Sequence, residues 1–428
     1  MIRAKTFIFA LGCAALSAIT TAKADTASAP KVKDVLVTYA NLAEAMYGDS
    51  LIAAKTLQGA VNAFLAAPTD ATLATARDAW KAARAPYQQT EGFRFGNPVV
   101  DAWEGKVNAW PLDEGLIDYV APSYGDTSDE NPLYKANIIA NKKIRVGKKM
   151  VDTSAITPKL IASLAEAAGV EANVTTGYHA IEFLLWGQDL NGTKAGAGNR
   201  PATDYDLKNC TNGNCDRRAA YLKAATDLLV TDLQEMVADW GAKGKARAFV
   251  LKKSEKAGLG IILTGLGSLS YGELAGERMK LGLILHDPEE EHDCFSDNTH
   301  NSHYYDEVGM AAIYTGRYTR LDGSAVQGPS VADLVAAKDP KVAEAVKSRM
   351  DAALAALRAI KDTADSGKES YDQMIGEGNT EGNARVQAGI DALVAQTRAL
   401  EQAVAALGVK IKVEGSQSLD APSKVKTN

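Results

Sequence analysis

Histidines occupy only two places in this chain, and one of them lies beside a carboxylate. His179 stands alone, and the other four histidines fall between His286 and His303. His179 and Glu182 are three residues apart in an otherwise apolar segment. Residues three apart are neighbours on one face of a helix, so an imidazole nitrogen and a carboxylate oxygen could reach the same cation. Such a pair suits zinc, iron or manganese but does not complete a site.

The spacing alone is a weak signal, because a buried histidine that is ion-paired with its helix neighbour has the same pattern. The surrounding residues favour metal binding, since their apolar character predicts burial and a buried carboxylate without a partner is costly. Gly177 permits close backbone approach, and Gln188 and Asp189 add polar groups where the helix should end. Glu91, an acid among aromatic residues, is the predicted third ligand.

The second histidine group lies in an acidic segment, Glu289 to His303, that contains every common type of hard and borderline metal ligand. A solvated acidic loop that caps a helix and a metal site of low specificity both fit this composition. We predict irregular structure from His286 to about Ser330, a length that in a compact domain is more often functional than incidental.

Charge and motifs exclude several function classes. The formal net charge is −6, and no basic face is present to neutralise phosphates, so nucleic acid is excluded as a partner. The zincin motif and its inverted form are absent, as are a phosphate-binding loop and a dinucleotide-binding glycine pattern. Hydrolysis would therefore need an unrecognised base.

The N-terminus predicts export. Arg3 and Lys5 precede an apolar stretch and a small-residue cleavage pattern, which is typical of a signal peptide over residues 1–24. Lipidation at Cys13 is the competing interpretation. No later window approaches the ~18 consecutive apolar residues of a membrane span.

The cysteines leave more than one pairing open. Cys210 and Cys215 lie five apart in a loop-like segment, and in an oxidising compartment a short disulfide is favoured over a metal site. Cys294 is left over and could instead take one partner of this pair.

Apolar residues recur at helical spacing through most of the chain, and period-two runs are almost absent. The clearest case runs from Val386 to Leu407 and ends at Gly408. We predict an all-α protein of two packed helical-bundle domains with the site at their interface. The predicted bounds are residues 25–200 and 201–412, with a disordered tail at 413–428.

The segment that begins at Gly177 closely resembles the Gly-x-His-x-x-Glu segment of the imelysin-like family of bacterial iron-regulated proteins. The resemblance covers nearly the whole chain after the leader and includes Trp80, Arg84, Pro86, Glu91, Arg200, Pro201, Asp204, Tyr205 and the segments 272–279 and 290–297. It implies an exported protein of two helical bundles that is tied to iron acquisition, with the His-x-x-Glu segment between the domains. The family was classed among metallopeptidases, although its motif lacks a complete set of zinc-protease ligands.

The leading hypothesis is a metal-binding protein of bacterial iron uptake, located in the periplasm or associated with the outer membrane. Its ligand would be a divalent or trivalent metal ion, with iron favoured over zinc, or an iron chelate, and membrane-associated iron transport components are the expected partners. His179, Glu182 and Glu91 are the predicted metal ligands. The opposite wall would be lined by Glu273, Glu277 and Arg278, as ligands, as supports of ligands or as an anion clamp.

Two alternatives stay open. The first is a zinc-dependent metallopeptidase that uses the same histidine and glutamate, with Glu91 or Glu277 as the base. The second is a binding module for a peptide or an iron chelate that holds no permanent metal.

Overall fold

Helices make up most of the protein in the computed structural model, which describes residues 29–125, 127–128 and 131–425. The α-helices are α1 (Val32–Ala66), α2 (Asp70–Gln88), α3 (Pro98–Glu104), α4 (Pro158–Ala162), α5 (Gly177–Trp186), α6 (Cys215–Trp240), α7 (Lys245–Leu251), α8 (Glu255–Ser268), α9 (Leu281–Leu285), α10 (Thr299–Thr315), α11 (Val331–Lys338), α12 (Pro340–Asp365), α13 (Tyr371–Ile375), α14 (Thr380–Leu407) and α15 (Gln417–Asp420). A π-helical segment, Leu269–Lys280, joins α8 to α9 without a break.

Strands are confined, within the described residues, to two short antiparallel hairpins. Strand β1 (Lys143–Val146) pairs with β2 (Lys149–Asp152), and β3 (Arg317–Thr319) pairs with β4 (Ala325–Gln327). The all-α prediction is therefore confirmed.

The apolar periodicity predicted the long helices well. Helix α14 buries Val386, Ile390 and Leu393 among its apolar residues. It ends where Gly408 adopts a φ of 61°, the left-handed conformation that commonly follows a helix.

The helices pack in two groups that share one core. Helix α1 packs against α2, α6, α7 and α8, whereas α14 packs against α12 and the π-helical segment. Helix α10 contacts both α2 and α12, and α5 lies against α2 and α6. The predicted division at residue 200 stays a prediction. Helix α6 follows this residue but packs on α1, which precedes it, and α8 packs on both α1 and α14.

The predicted irregular stretch from His286 to Ser330 was wrong in its middle, where α10 forms. This helix buries His300, His303, Asp306 and Glu307. Because several of its inward positions are polar, apolar periodicity could not reveal the helix.

The C-terminal tail also differs from the predicted disorder as far as residue 425. The backbone N–H of Glu414 donates to Ser268 Oγ at 3.1 Å, and Ser418 Oγ donates to the carbonyl of Gly276 at 2.9 Å. Side chains at Gly272 and Gly276 would collide with Glu414 and Ser416. Polar contacts hold the tail, and Gly272 and Gly276 allow it to approach the π-helical segment closely. The sequence of the tail itself does not reveal this, because the glycines lie on a distant segment.

Cys210 and Cys215 form the predicted disulfide bond, and Cys294 is a free, buried thiol. The predicted signal peptide and Cys13 lie outside the described residues. Along the described part of the chain, no helix combines the length and the apolar character needed to cross a bilayer.

Candidate metal centre

Helix α5 carries His179 and Glu182 and is pinned at its first residue. Gly177 has a φ of 79°, and a side chain there would collide with the carbonyl of Val107. The next backbone N–H, of Tyr178, donates to that carbonyl at 2.7 Å, and Trp80 Nε1 donates to the carbonyl of Tyr178 at 3.0 Å. Glycine is therefore required where the helix begins, and the two contacts fix its position.

The predicted pair meets as its spacing requires. His179 Nδ1 and Glu182 Oε2 lie 3.0 Å apart, and both side chains are buried. Within the described residues, His179 Nε2 is buried and has no hydrogen-bond partner. Ser296 holds the other carboxylate oxygen of Glu182, donating from its backbone N–H at 3.0 Å and from its hydroxyl at 2.7 Å.

Asp293 is the third member of this group. His179, Glu182 and Asp293 each offer a ligand atom, and these atoms all lie within 4.8 Å of one another. The Asp293 carboxylate accepts hydrogen bonds from Asn298 Nδ2 at 2.8 Å and from Ser302 Oγ at 2.5 Å. One nitrogen and two carboxylates form a ligand set that suits iron or zinc.

Arg84 balances the charge of this group from α2. Its Nη2 lies 2.8 Å from Asp293 Oδ1, and both side chains are fully buried. Its Nη1 donates to Asn108 Oδ1 at 2.7 Å, and its guanidinium lies 5.1 Å from the centre of the Tyr178 ring. The centre therefore contains a cation of the protein's own as well as acidic side chains.

Burial sets the protonation of the three groups. Burial and the charge of Arg84 lower the pKa of His179 to about 3, so the imidazole is neutral at pH 7 and can bind a metal. Burial and then the nearby Asp293 raise the pKa of Glu182 well above its usual value. Burial also acts to raise the pKa of Asp293, but Arg84, His179 and the hydrogen bond from Ser302 together outweigh burial and hold this pKa at about 2. A cation would stabilise the charged form of Glu182.

Glu91, the predicted third ligand, does not lie in this group of ligand atoms. Its carboxylate is 2.6 Å from Arg278 Nη2, and both side chains are buried. The same guanidinium binds Asp306 at 3.0 Å and Glu273 at 2.8 Å. The structure thus places Glu91 and Glu273 in an arginine-centred cluster.

The predicted opposite wall corresponds to a cleft of about 420 Å³. Its lining includes Glu273, Arg278 and Glu277, which is exposed. His292 also lines the cleft, and the centre of its ring lies 4.9 Å from that of His179. The predicted wall residues therefore come together, and His292 lies between their cleft and the centre.

Sequence reasoning missed Asp293, Ser296 and Arg84 as parts of the centre. Asp293 and Ser296 lie in the acidic segment from Glu289 to His303, which is rich in metal-ligand types. Arg84 is one of the residues that carry the resemblance to the imelysin-like family. The concentration of metal-ligand types in this segment was the available signal. Only the fold shows which of these side chains lie beside His179 and Glu182 on α5.

His303 gives the protein a defined sensitivity to acid. It packs edge-on against Tyr371, with ring centres 5.0 Å apart, and burial lowers its pKa to about 3. Folded His303 thus stays neutral at pH 5, whereas an unfolded histidine takes up a proton below its usual pKa of about 6.5. The stability that neutral His303 contributes is therefore fully present above the pKa of the unfolded histidine. Below that pKa it decreases by about 1.4 kcal/mol for each pH unit.

The free energy of unfolding should fall in both proteins when the pH is lowered from 7.5 to 5. We expect this fall to be about 2 kcal/mol smaller in His303→Gln than in the wild type. Urea unfolding followed by circular dichroism at both pH values measures this difference. Tyr371→Phe removes a hydroxyl from the same contact and should keep the wild-type pH dependence. An equal loss in wild type and His303→Gln would show that His303 is not held neutral.

The fold and the centre together define a class of helical protein in which one short helix presents a histidine and a glutamate to an aspartate from a distant loop. The chain belongs to the imelysin family, assigned to peptidase family M75, because that family's sequence pattern matches residues 43–400.

Individual relatives agree with this assignment. Iron-regulated protein A of Synechococcus elongatus is 35% identical over 81 residues, which are 19% of this chain and 23% of that protein. A provisionally named iron-regulated protein A precursor from Parabacteroides distasonis has a similar structure, with a TM-score of 0.62 at 18% identity over 90% of this chain and 98% of that one. An imelysin-like protein from Psychrobacter arcticus gives a TM-score of 0.58 at 17% identity over 89% and 96% of the two chains. The two structures establish the shared fold.

Proposed function

We propose that this protein binds a metal ion, iron in the first instance and zinc as the alternative, through His179, Glu182 and Asp293. The observation that carries the proposal is the buried trio of ligand atoms within 4.8 Å of one another. A neutral imidazole is a competent ligand, and the 3.0 Å between His179 Nδ1 and Glu182 Oε2 is close to the separation of two ligands on one ion. Metal–ligand bonds of about 2.0–2.2 Å produce such separations.

Other residues would hold the ligands in place. Ser296 orients Glu182 through two hydrogen bonds, and Asn298 and Ser302 orient Asp293. Supporting contacts of this kind are what make a metal ligand set rigid. Arg84 competes with the cation for Asp293, so it would limit the affinity and favour release of the metal.

The cellular role is part of the same proposal. The iron-regulated names of the relatives favour iron as the ion and iron uptake as the process. Export to the periplasm, or association with the outer membrane, follows from the N-terminal sequence pattern. An iron chelate is an alternative form of the cargo, with the cleft beside His292 as its place of binding, and the partners would be membrane-associated iron transport components.

Removal of any one ligand should weaken metal binding. We expect His179→Ala, Glu182→Gln and Asp293→Asn each to raise the Kd at least tenfold, since each removes one metal–ligand bond. Isothermal titration with Fe(II) under anaerobic conditions, and with Fe(III) and Zn(II), measures the affinities. His286→Gln is the matched control, because this histidine lies outside the trio and contacts the carbonyl of Ile375.

The same titration separates the competing hypotheses. Glu91→Gln should retain the wild-type affinity if Asp293 is the third ligand, and should lose tenfold if Glu91 is. Equal affinities in wild type and all ligand variants would contradict metal binding at this centre. Peptide cleavage by the wild type that disappears in the ligand variants would instead support the zinc metallopeptidase.

A further inference from the structure

A second group of acidic side chains lies where three distant segments meet. Asp189 follows α5, Asp297 precedes α10, and Asp372 lies in α13. Each offers a carboxylate oxygen, and these oxygens lie within 4.8 Å of one another. The group contains no nitrogen or sulfur ligand, which distinguishes it from the centre on α5.

Two of the three carboxylates have oxygens that are short of hydrogen-bond donors, whereas Asp189 Oδ1 accepts from the backbone N–H and Nδ2 of Asn191 at 2.9 and 2.7 Å. Asp372 is only 2% exposed, and both of its carboxylate oxygens are buried without a hydrogen-bond partner among the described residues. The same is true of Asp297 Oδ1. Buried polar groups are almost always paired, so these carboxylate oxygens are suited to bind an ion or an ordered water.

A fourth carboxylate faces the group from the same loop. Glu291 is 1% exposed, and both of its oxygens are buried and unpartnered within the described part of the chain. The charges of Asp372 and Asp297, after burial itself, raise the pKa of Glu291. Burial and these neighbours therefore favour the neutral form of Glu291.

The electrostatics agree with this geometry. Burial and the charge of Asp372 raise the pKa of Asp297 to about 7, and burial raises the pKa of Asp372 to about 6. Lys81 is the cation that acts on Asp297, and it also lies over the ring of Trp186 at 5.7 Å. Like charges held together in a partly buried place are costly, and a bound cation would remove that cost.

We infer that Asp189, Asp297 and Asp372 form a second metal site, which binds a hard divalent cation, with Ca²⁺ as the expected ion. Carboxylate oxygens alone favour hard cations over zinc or iron. Asp189 and Asp297 are only partly buried, so water can complete the six to eight oxygen ligands that Ca²⁺ prefers.

The position of this site gives the cation a structural consequence. Asp297 directly follows Ser296, which holds Glu182, and the adjacent Asn298 donates to Asp293. A cation bound by Asp297, Asp189 and Asp372 would therefore fix the loop that completes the centre on α5. Binding at the second site does not itself require a metal at the first.

Titration of metal-free protein with Ca²⁺ tests the inference. We expect the wild type to bind Ca²⁺, and Asp372→Asn and Asp189→Asn each to raise its Kd at least tenfold. Asparagine keeps the shape of aspartate and removes a repelling charge, so both variants should fold, which circular dichroism checks. If Asp372→Asn fails to fold, the partly exposed Asp189 provides the readout.

Two controls separate this site from the proposed iron or zinc centre. Asp351→Asn alters an exposed aspartate on α12 and should bind Ca²⁺ as the wild type does. His179→Ala should also keep full Ca²⁺ affinity, even if it abolishes binding of iron. Thermal unfolding gives a second measurement, because free Ca²⁺ at 100 times its Kd lowers the unfolding equilibrium constant about 100-fold.

Three results would overturn the inference. They are no response of the wild type to millimolar Ca²⁺, equal Ca²⁺ affinity in wild type and the two asparagine variants, and a preference of this site for Zn²⁺ over Ca²⁺.

Discussion

Replacing Arg84 with methionine should lower the free energy of unfolding of the metal-free protein by about 3–5 kcal/mol, the usual cost of removing one partner from a buried ion pair. Arg84 and Asp293 have no exposed side-chain surface, so the remaining carboxylate would have no access to water. Urea unfolding followed by circular dichroism measures the loss. Methionine retains much of the packing volume, so the effect reports mainly on charge.

Two further measurements show whether the lost charge is the cause. Asp293→Asn combined with Arg84→Met should be more stable than Arg84→Met alone, because no unpaired charge remains. Added Zn²⁺ should stabilise Arg84→Met more than it stabilises the wild type, since the metal would replace the guanidinium as the partner of Asp293. If the double variant is as unstable as the single one, packing and not charge accounts for the loss.

Arg278→Met should cost a similar amount, about 3–5 kcal/mol, because Arg278 neutralises buried carboxylates from three parts of the chain. Its guanidinium contacts Glu91, Glu273 and Asp306 at 2.6–3.0 Å, and Glu91 and Asp306 are at most 1% exposed. The loss is again read from urea unfolding of the metal-free protein.

Arg278→Lys separates charge from geometry. Lysine keeps the positive charge but cannot present a planar fork to several carboxylates, so we expect a loss between that of Arg278→Met and zero. Arg349→Met, at an exposed position on α12, should stay within about 0.5 kcal/mol of the wild type. A full loss in the lysine variant would show that the fork, and not the charge, stabilises the cluster.

The sequence predicted best what depends on local spacing. The period of apolar residues predicted α14 and the helix break at Gly408, and the three-residue spacing placed His179 beside Glu182. Both results depend only on helix geometry, which fixes neighbours within a turn or two.

Long-range partners could not be predicted in the same way. Glu91 had the acidic character of a ligand, but the fold places it against Arg278 and brings Asp293 to α5. Helix α10 escaped prediction because it turns His303 and Asp306 inward. In each case the outcome depends on which distant segment supplies the partner, and no local pattern contains that information.

The π-helical segment constrains how the chain can vary in length. Five residues separate Glu273 from Arg278, and in an α-helix they would point about 140° apart. The i→i+5 hydrogen bonding of a π-helix brings them together, so Glu273 can bind the same guanidinium as Glu91 and Asp306. Deletion of one residue between them would restore ordinary α-helical bonding and place the pair four residues apart, where an α-helix turns them only about 40° away from each other. The chain could therefore lose one residue between Glu273 and Arg278 and keep both side chains on the same face of a continuous helix.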